Sequence, residues 1–171
     1  PDITIFEEHI SVKHASRPFG LFVLCAALLL TAACSTPSQD VATLSSLELN
    51  PERQQLALME VQQLQSKGRR VWCVPFARNV SGVQIRGNAN TWWGKASGLY
   101  EKGKEPLVGA VMAFRKTSKL PMGHVAVVSE VVSDREIRVD HANWKRNEVS
   151  LKMDVIDVSE NNDWSAVRLK S

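Results

Sequence analysis

Cysteine is scarce in this chain: three among 171 residues, at positions 25, 34 and 73, with no CxxC pair. That excludes a disulfide-stapled scaffold and a multi-thiolate zinc site. The four histidines show no HxxxH spacing. A Cys/His metal site would have one thiol and two imidazoles without ligand spacing, so no metal is expected. Basic residues never run longer than two and the net charge is only +3, so the clustered stripe of a nucleic-acid binder is missing. No phosphate-cradling glycine motif and no internal repeat is visible. The main hydrophobic run, Phe19–Ala33, has fifteen residues, short of a comfortable membrane span. What is present is 44% hydrophobic, 23% charged and five Trp, the make-up of one globular domain of ordinary size.

The run at 19–33 has the length of a signal-peptide core, preceded by Lys13, His14 and Arg17 as a positive flank. Ala32 and Ala33 then lead into Cys34. This resembles the lipobox of bacterial lipoproteins, which implies lipidation of Cys34 as the first mature residue. Thr31 departs from the aliphatic residue usual there. Ser35, beside that cysteine, is compatible with outer-membrane sorting. The acidic PDITIFEEHIS preceding the positive flank is expected to be an upstream over-extension, with a start at Val12. Residues 1–33 are thus read as over-extended N-terminus plus signal peptide. Once they are removed, Cys73 is the one free thiol left, and His124 and His141 are the remaining imidazoles. An unpaired thiol in an exported protein calls for a chemical reason.

Residues 34–49, rich in Ser, Thr, Gln and Pro, read as a flexible tether. Asn50-Pro51-Glu52 is a helix start, and Gly68 a stop. A helix is expected over about 51–66, with Leu56, Met59, Val61 and Leu64 on its apolar side. A short helix should begin near Cys73 and end near Gly82. Asn90 should cap another through TWWGKASGLY. Beyond Gly109 come five Val- and Ile-rich segments: GAVMAF, GHVAVVSEVV, EIRVDHANW, LKMDVIDVS and WSAVRLK. Helices first and strands later predict an α+β fold with an antiparallel sheet.

A thiol needs an imidazole, and preferably a helix N-terminus, to act as a nucleophile. Cys73 falls at a helix start, where backbone N–H groups would favour thiolate and stabilise an oxyanion. His124 opens a strand directly after Gly123. His141 shares strand parity with Ile137 and Val139, while Asp140 has the opposite parity.

In order and spacing these pieces resemble the CHAP family, the cysteine- and histidine-dependent amidohydrolases and peptidases of papain-like α+β fold. The matching residues are Cys73 with Phe76-Ala77-Arg78, GNANTWW at 87–93, GAVMAF at 109–114, GHVAVV at 123–128 and HANW at 141–144. The resemblance implies N-terminal helices packed on an antiparallel sheet, with a catalytic domain over 69–171. It implies Cys73 as nucleophile and His124 as base. The family's third group is commonly Glu, and that place holds His141, a departure. Related papain-like wall peptidases use histidine there. Asn143 matches the family's Asn and Asp140 is the second candidate, both as additional polar site residues. No cofactor is implied, and the expected partner is peptidoglycan, with a lipid-held location in the periplasm at a Gram-negative outer membrane. Two other readings stand beside this one: a non-catalytic peptidoglycan-binding lipoprotein with a degenerate site, and an amidase for a substrate such as a glutathione–polyamine conjugate, against which export argues. Trp92, Trp93 and Trp144 would be core or cleft wall.

Overall fold

The computed structural model describes residues 48–170 and, as backbone, the strand at 7–11. The expected signal sequence, the lipidation site Cys34 and all but the end of the tether lie outside the described residues. Among the described residues no helix is long and apolar enough to cross a membrane.

Helix α1 (Pro51–Ser66) starts as its sequence dictates: Asn50 Oδ1 accepts from Arg53 N at 3.0 Å, with Pro at the first turn. Its buried stripe is Ala57 and Val61, while Leu56 and Met59 face solvent. The expected apolar side is thus rotated. The small Ala57 side chain lets α1 approach α2 (Cys73–Ser81) closely, and Glu60 accepts from Asn79 Nδ2 across that contact. Helix α2 buries Phe76, Ala77 and Val80, of which Phe76 and Val80 contribute about 1.5–3 kcal/mol each. It ends on Gly82 at φ +80°, a left-handed cap that glycine adopts without strain. The next helical stretch is shorter than expected. Asn90 sits inside a 3-10 turn (Ala89–Thr91), and α3 spans only Trp92–Ala96. Gly94 and Gly98 (φ +76°) weaken continuation, while Trp92 is fully buried beneath it.

Among the described residues the sheet has seven antiparallel strands in the order β2-β1-β3-β4-β5-β6-β7. They are β1 (Glu7–Ser11), β2 (Glu101–Gly103), β3 (Val111–Phe114), β4 (His124–Ser133), β5 (Glu136–Ala142), β6 (Val149–Asp157) and β7 (Val167–Leu169). The five expected strands form β3 to β7. The three-residue strand β2 and the strand β1 add to that set, and β1 pairs between β2 and β3. Alternation along the strands divides the core. Val111, Ala113, Val125 and Val127 face the helices, and Met112, Phe114, Ala126, Val128, Ile137 and Val139 form the second cluster with Trp164. Helices on an antiparallel sheet make this an α+β, papain-like layout.

Two irregularities aim the functional strands. Gly123 (φ +66°) precedes His124, and a Cβ there would sit 2.6 Å from Phe114 O and 2.8 Å from Asn90 N. Only glycine lets the start of β4 pass this close to β3 and the 3-10 turn. On β5 the register shifts between Val139 and His141, opposite Met153 and Ser150. Lys152, at φ +52°, takes up the extra residue. Its N–H donates to Asp140 Oδ1 at 2.8 Å, so Asp140 holds the bulge of β6 that lies opposite the end of β5.

Candidate active site

Cys73 is the first residue of α2, half-buried and free. Its approach is extended: Val71 is buried, and Trp72 on the next position is about half exposed, at 51%. The sulfur faces the backbone N–H groups of Val125, Val74 and Cys73 itself. Val125 follows His124 on β4, which brings the thiol to the strand that carries the imidazole. The helix start supplies the donors expected from sequence, yet burial outweighs them and pushes the thiol pKa above its ordinary value. The resting group is therefore a thiol rather than the thiolate that the helix start alone would favour.

His124 and His141 are both buried. His124 Nε2 and His141 Nδ1 are 2.9 Å apart, a hydrogen bond in which one ring donates to the other. Trp144 packs against both, with ring centroids 5.0 Å from His124 and 5.7 Å from His141. Phe114 meets His124 edge-on at 5.7 Å. This aromatic wall keeps water from the pair. Burial, and then the neighbouring His141, hold the His124 pKa well below its ordinary value. Burial lowers His141 to about 4. Both are neutral at pH 7.

Neutrality constrains the tautomers. If His124 is to accept a proton on Nδ1, it keeps its hydrogen on Nε2 and donates to His141 Nδ1. His141 then carries its hydrogen on Nε2, which is buried without a hydrogen-bond partner among the described residues, at a cost of about 1–3 kcal/mol.

The depressed histidines also tie stability to pH. The unfolded chain binds protons below its ordinary His value of 6.5, whereas folded His141 resists protonation down to about 4. Stability is fully present above 6.5 and is lost as pH falls toward 4, by roughly 3 kcal/mol for His141 alone. The expected outcome is a fall in the urea midpoint between about pH 7 and about pH 4, smaller in a His141→Asn chain. A midpoint flat over that range contradicts the assignment.

Asp140 stands apart from this group. It accepts from Gln54 Nε2 at 2.6 Å and from Lys152 N, on the side of β5 that faces α1. Asn143 (φ +63°) turns the chain after β5. Its Oδ1 accepts from Asn147 N at 2.9 Å and Arg70 Nε at 3.2 Å, and Asn147 Oδ1 accepts from Val71 N at 2.9 Å. These bonds stitch the end of β5 to the approach to Cys73, and so hold the imidazole strand and the thiol in register. Sequence reasoning missed Arg70, Asn147 and the Val125 N–H, since each acts through contacts distant along the chain. The Asn143/Asn147 spacing, with asparagine tolerant of positive φ, was the available signal. Of the other tryptophans, Trp92 is core and Trp93 is half-buried beneath Lys102. No three His, Cys, Asp or Glu side chains converge as metal ligands among the described residues.

Residues 65–143 match the family model of the CHAP domain. Over this stretch, just under half of the chain, the sequence is that of a CHAP domain. The match spans α2, α3 and strands β2 to β5, and β6 and β7 continue the same sheet beyond it. CHAP domains are typically amidohydrolases, and peptidoglycan is the substrate their presence implies. No curated protein and no solved structure gave a significant match to the chain.

Proposed function

We propose that this CHAP domain cleaves an amide bond of peptidoglycan by thiol acyl transfer, with Cys73 as nucleophile, His124 as general base and His141 as the group that orients His124. The observation that supports it most is the 2.9 Å contact between His124 Nε2 and His141 Nδ1, on the strand whose next N–H faces the Cys73 sulfur.

The resting pair is neutral, so thiolate forms as the reaction proceeds. His124 Nδ1 takes the thiol proton while sulfur attacks the amide carbonyl. The backbone N–H groups at the start of α2 then face the developing oxyanion. The imidazolium gives its proton to the leaving amine and water hydrolyses the thioester. Through these steps His124 Nε2–H stays on His141 Nδ1, a bond that strengthens when His124 is charged. A carboxylate in that place would add negative charge, whereas neutral His141 contributes orientation and a lone pair. Asn143 and Asp140 position this pair through the loop and the bulge.

The cellular setting belongs to the same proposal. An exported lipoprotein, lipidated at Cys34 and held at a Gram-negative outer membrane by the 34–49 tether, would face the wall from the periplasm. The motifs at 19–35 support this setting.

Mass spectrometry of purified sacculi treated with the leaderless chain tests the activity. Stem peptides freed from glycan identify an amidase of the muramoyl–L-alanine bond, and shortened or uncrosslinked peptides identify an endopeptidase. The absence of new products across several wall types would turn the reading to a wall-binding lipoprotein.

A further inference from the structure

The nucleophile lies in a cleft of about 240 Å³ whose walls are mostly apolar, among them Trp72, Pro75 and Met122. The stretches of chain that build it are electrically one-sided. Residues 61–100 contain Lys67, Arg69, Arg70, Arg78, Arg86 and Lys95 and not one Asp or Glu. Residues 106–129 add Arg115, Lys116 and Lys119, again with no acid. Together these two stretches hold Cys73, the cleft walls and His124.

One of these cations is held in place. The Arg70 guanidinium lies over the Trp72 ring, 4.2 Å from its centroid, and its Nε donates to Asn143 Oδ1 at 3.2 Å. Residue parity on the extended approach explains the stacking: positions 70 and 72 point the same way, and Val71 between them enters the core. Among the described residues no carboxylate pairs with Arg70. Its terminal nitrogens are left as a donor fork, fixed by an amide and by the ring of Trp72, which itself lines the cleft. A planar, fixed fork suits a carboxylate far better than a mobile ammonium does.

We propose that Arg70 binds a free carboxylate of the substrate beside the scissile amide, with the adjoining apolar part of the substrate lying against Trp72. The ligand class is an acidic peptide, and the proposal rests on Cys73 being the amidase nucleophile. Binding there also reaches the catalytic pair, because Arg70 is bonded to the loop that follows His141.

The test uses a soluble muropeptide and the same muropeptide with its carboxylates converted to amides. Both are titrated by calorimetry into the Cys73→Ala chain, which cannot turn them over. Amidation is expected to weaken binding about tenfold or more, the size of a charge-assisted pair. Adding Arg70→Gln should shrink that ratio to about twofold or less, with Arg70→Lys between. The amidated probe needs no change at Arg70, so a folding defect in either variant cannot decide the matter. Equal binding of both probes, a preference that survives Arg70→Gln, or no binding of either overturns the proposal. Turnover of the unmodified muropeptide by the wild-type chain is scored separately. Turnover without carboxylate preference removes only Arg70's role, and preference without turnover removes only the hydrolase reading.

Discussion

Replacing Cys73 by alanine is expected to lower kcat on peptidoglycan on the order of 10⁴-fold or more while leaving the fold intact. The thiol is half-buried at the first turn of α2, so removing one sulfur leaves a small void and costs only about 1 kcal/mol. Chemistry is affected far more, because no other thiol exists among the described residues. Cys73→Ser should be nearly as inactive. A hydroxyl is much harder to deprotonate than the thiol, and a neutral imidazole with a depressed pKa is a weak base for that task. His124→Ala should match Cys73→Ala, and the double variant should be no worse than either single one, since the two side chains act as one unit. Release of soluble fragments from sacculi measures this. Substantial residual rate in Cys73→Ala would place the chemistry elsewhere.

His141→Ala is expected to lower kcat by about 10²–10³-fold. The substitution strips His124 Nε2 of its 2.9 Å partner and opens a cavity beneath Trp144 and β5. His124 is then free to adopt the wrong tautomer, with hydrogen on the nitrogen that should accept. Two further variants separate orientation from simple damage. His141→Asn returns an acceptor and should recover part of the rate. His141→Glu returns the carboxylate usual in the CHAP family. It should raise the His124 pKa and so move the acid limb of kcat/KM to higher pH, an effect that a merely structural residue would not produce. An unmoved limb in His141→Glu, with full activity in His141→Ala, would mean that the imidazole–imidazole contact is only packing.

The placement of Cys73, His124 and His141 was legible in the sequence because its signals are local. Trp72-Cys73 stands at a helix start with Gly82 closing the helix, and Gly123-His124 opens a Val-rich strand. The parity of Ile137, Val139 and His141 separates His141 from Asp140, and the structure sends Asp140 toward Gln54 and Lys152. Less legible was whatever depends on pairing across the chain. Strand β2 is three residues long with only exposed side chains, so it carries no alternation to read. The face that α1 buries was misread because Ala57, a small residue, sits at the contact with α2 while Leu56 and Met59 point outward. Helix α3 proved short because two glycines outweigh the aromatic pair Trp92-Trp93. The thiol's raised pKa was equally hidden. Helix-start geometry can be read from sequence, but the burial that overrides it is a tertiary fact.

The most direct test of the mechanism is a rapid acid quench of the leaderless chain during turnover of soluble muropeptides, followed by peptide mapping by mass spectrometry. Thiol acyl transfer predicts a substrate-derived acyl adduct on the peptide that contains Cys73, present in the wild-type chain and absent from Cys73→Ala. Products that accumulate with no adduct on that peptide, or with an adduct on another residue, would contradict it.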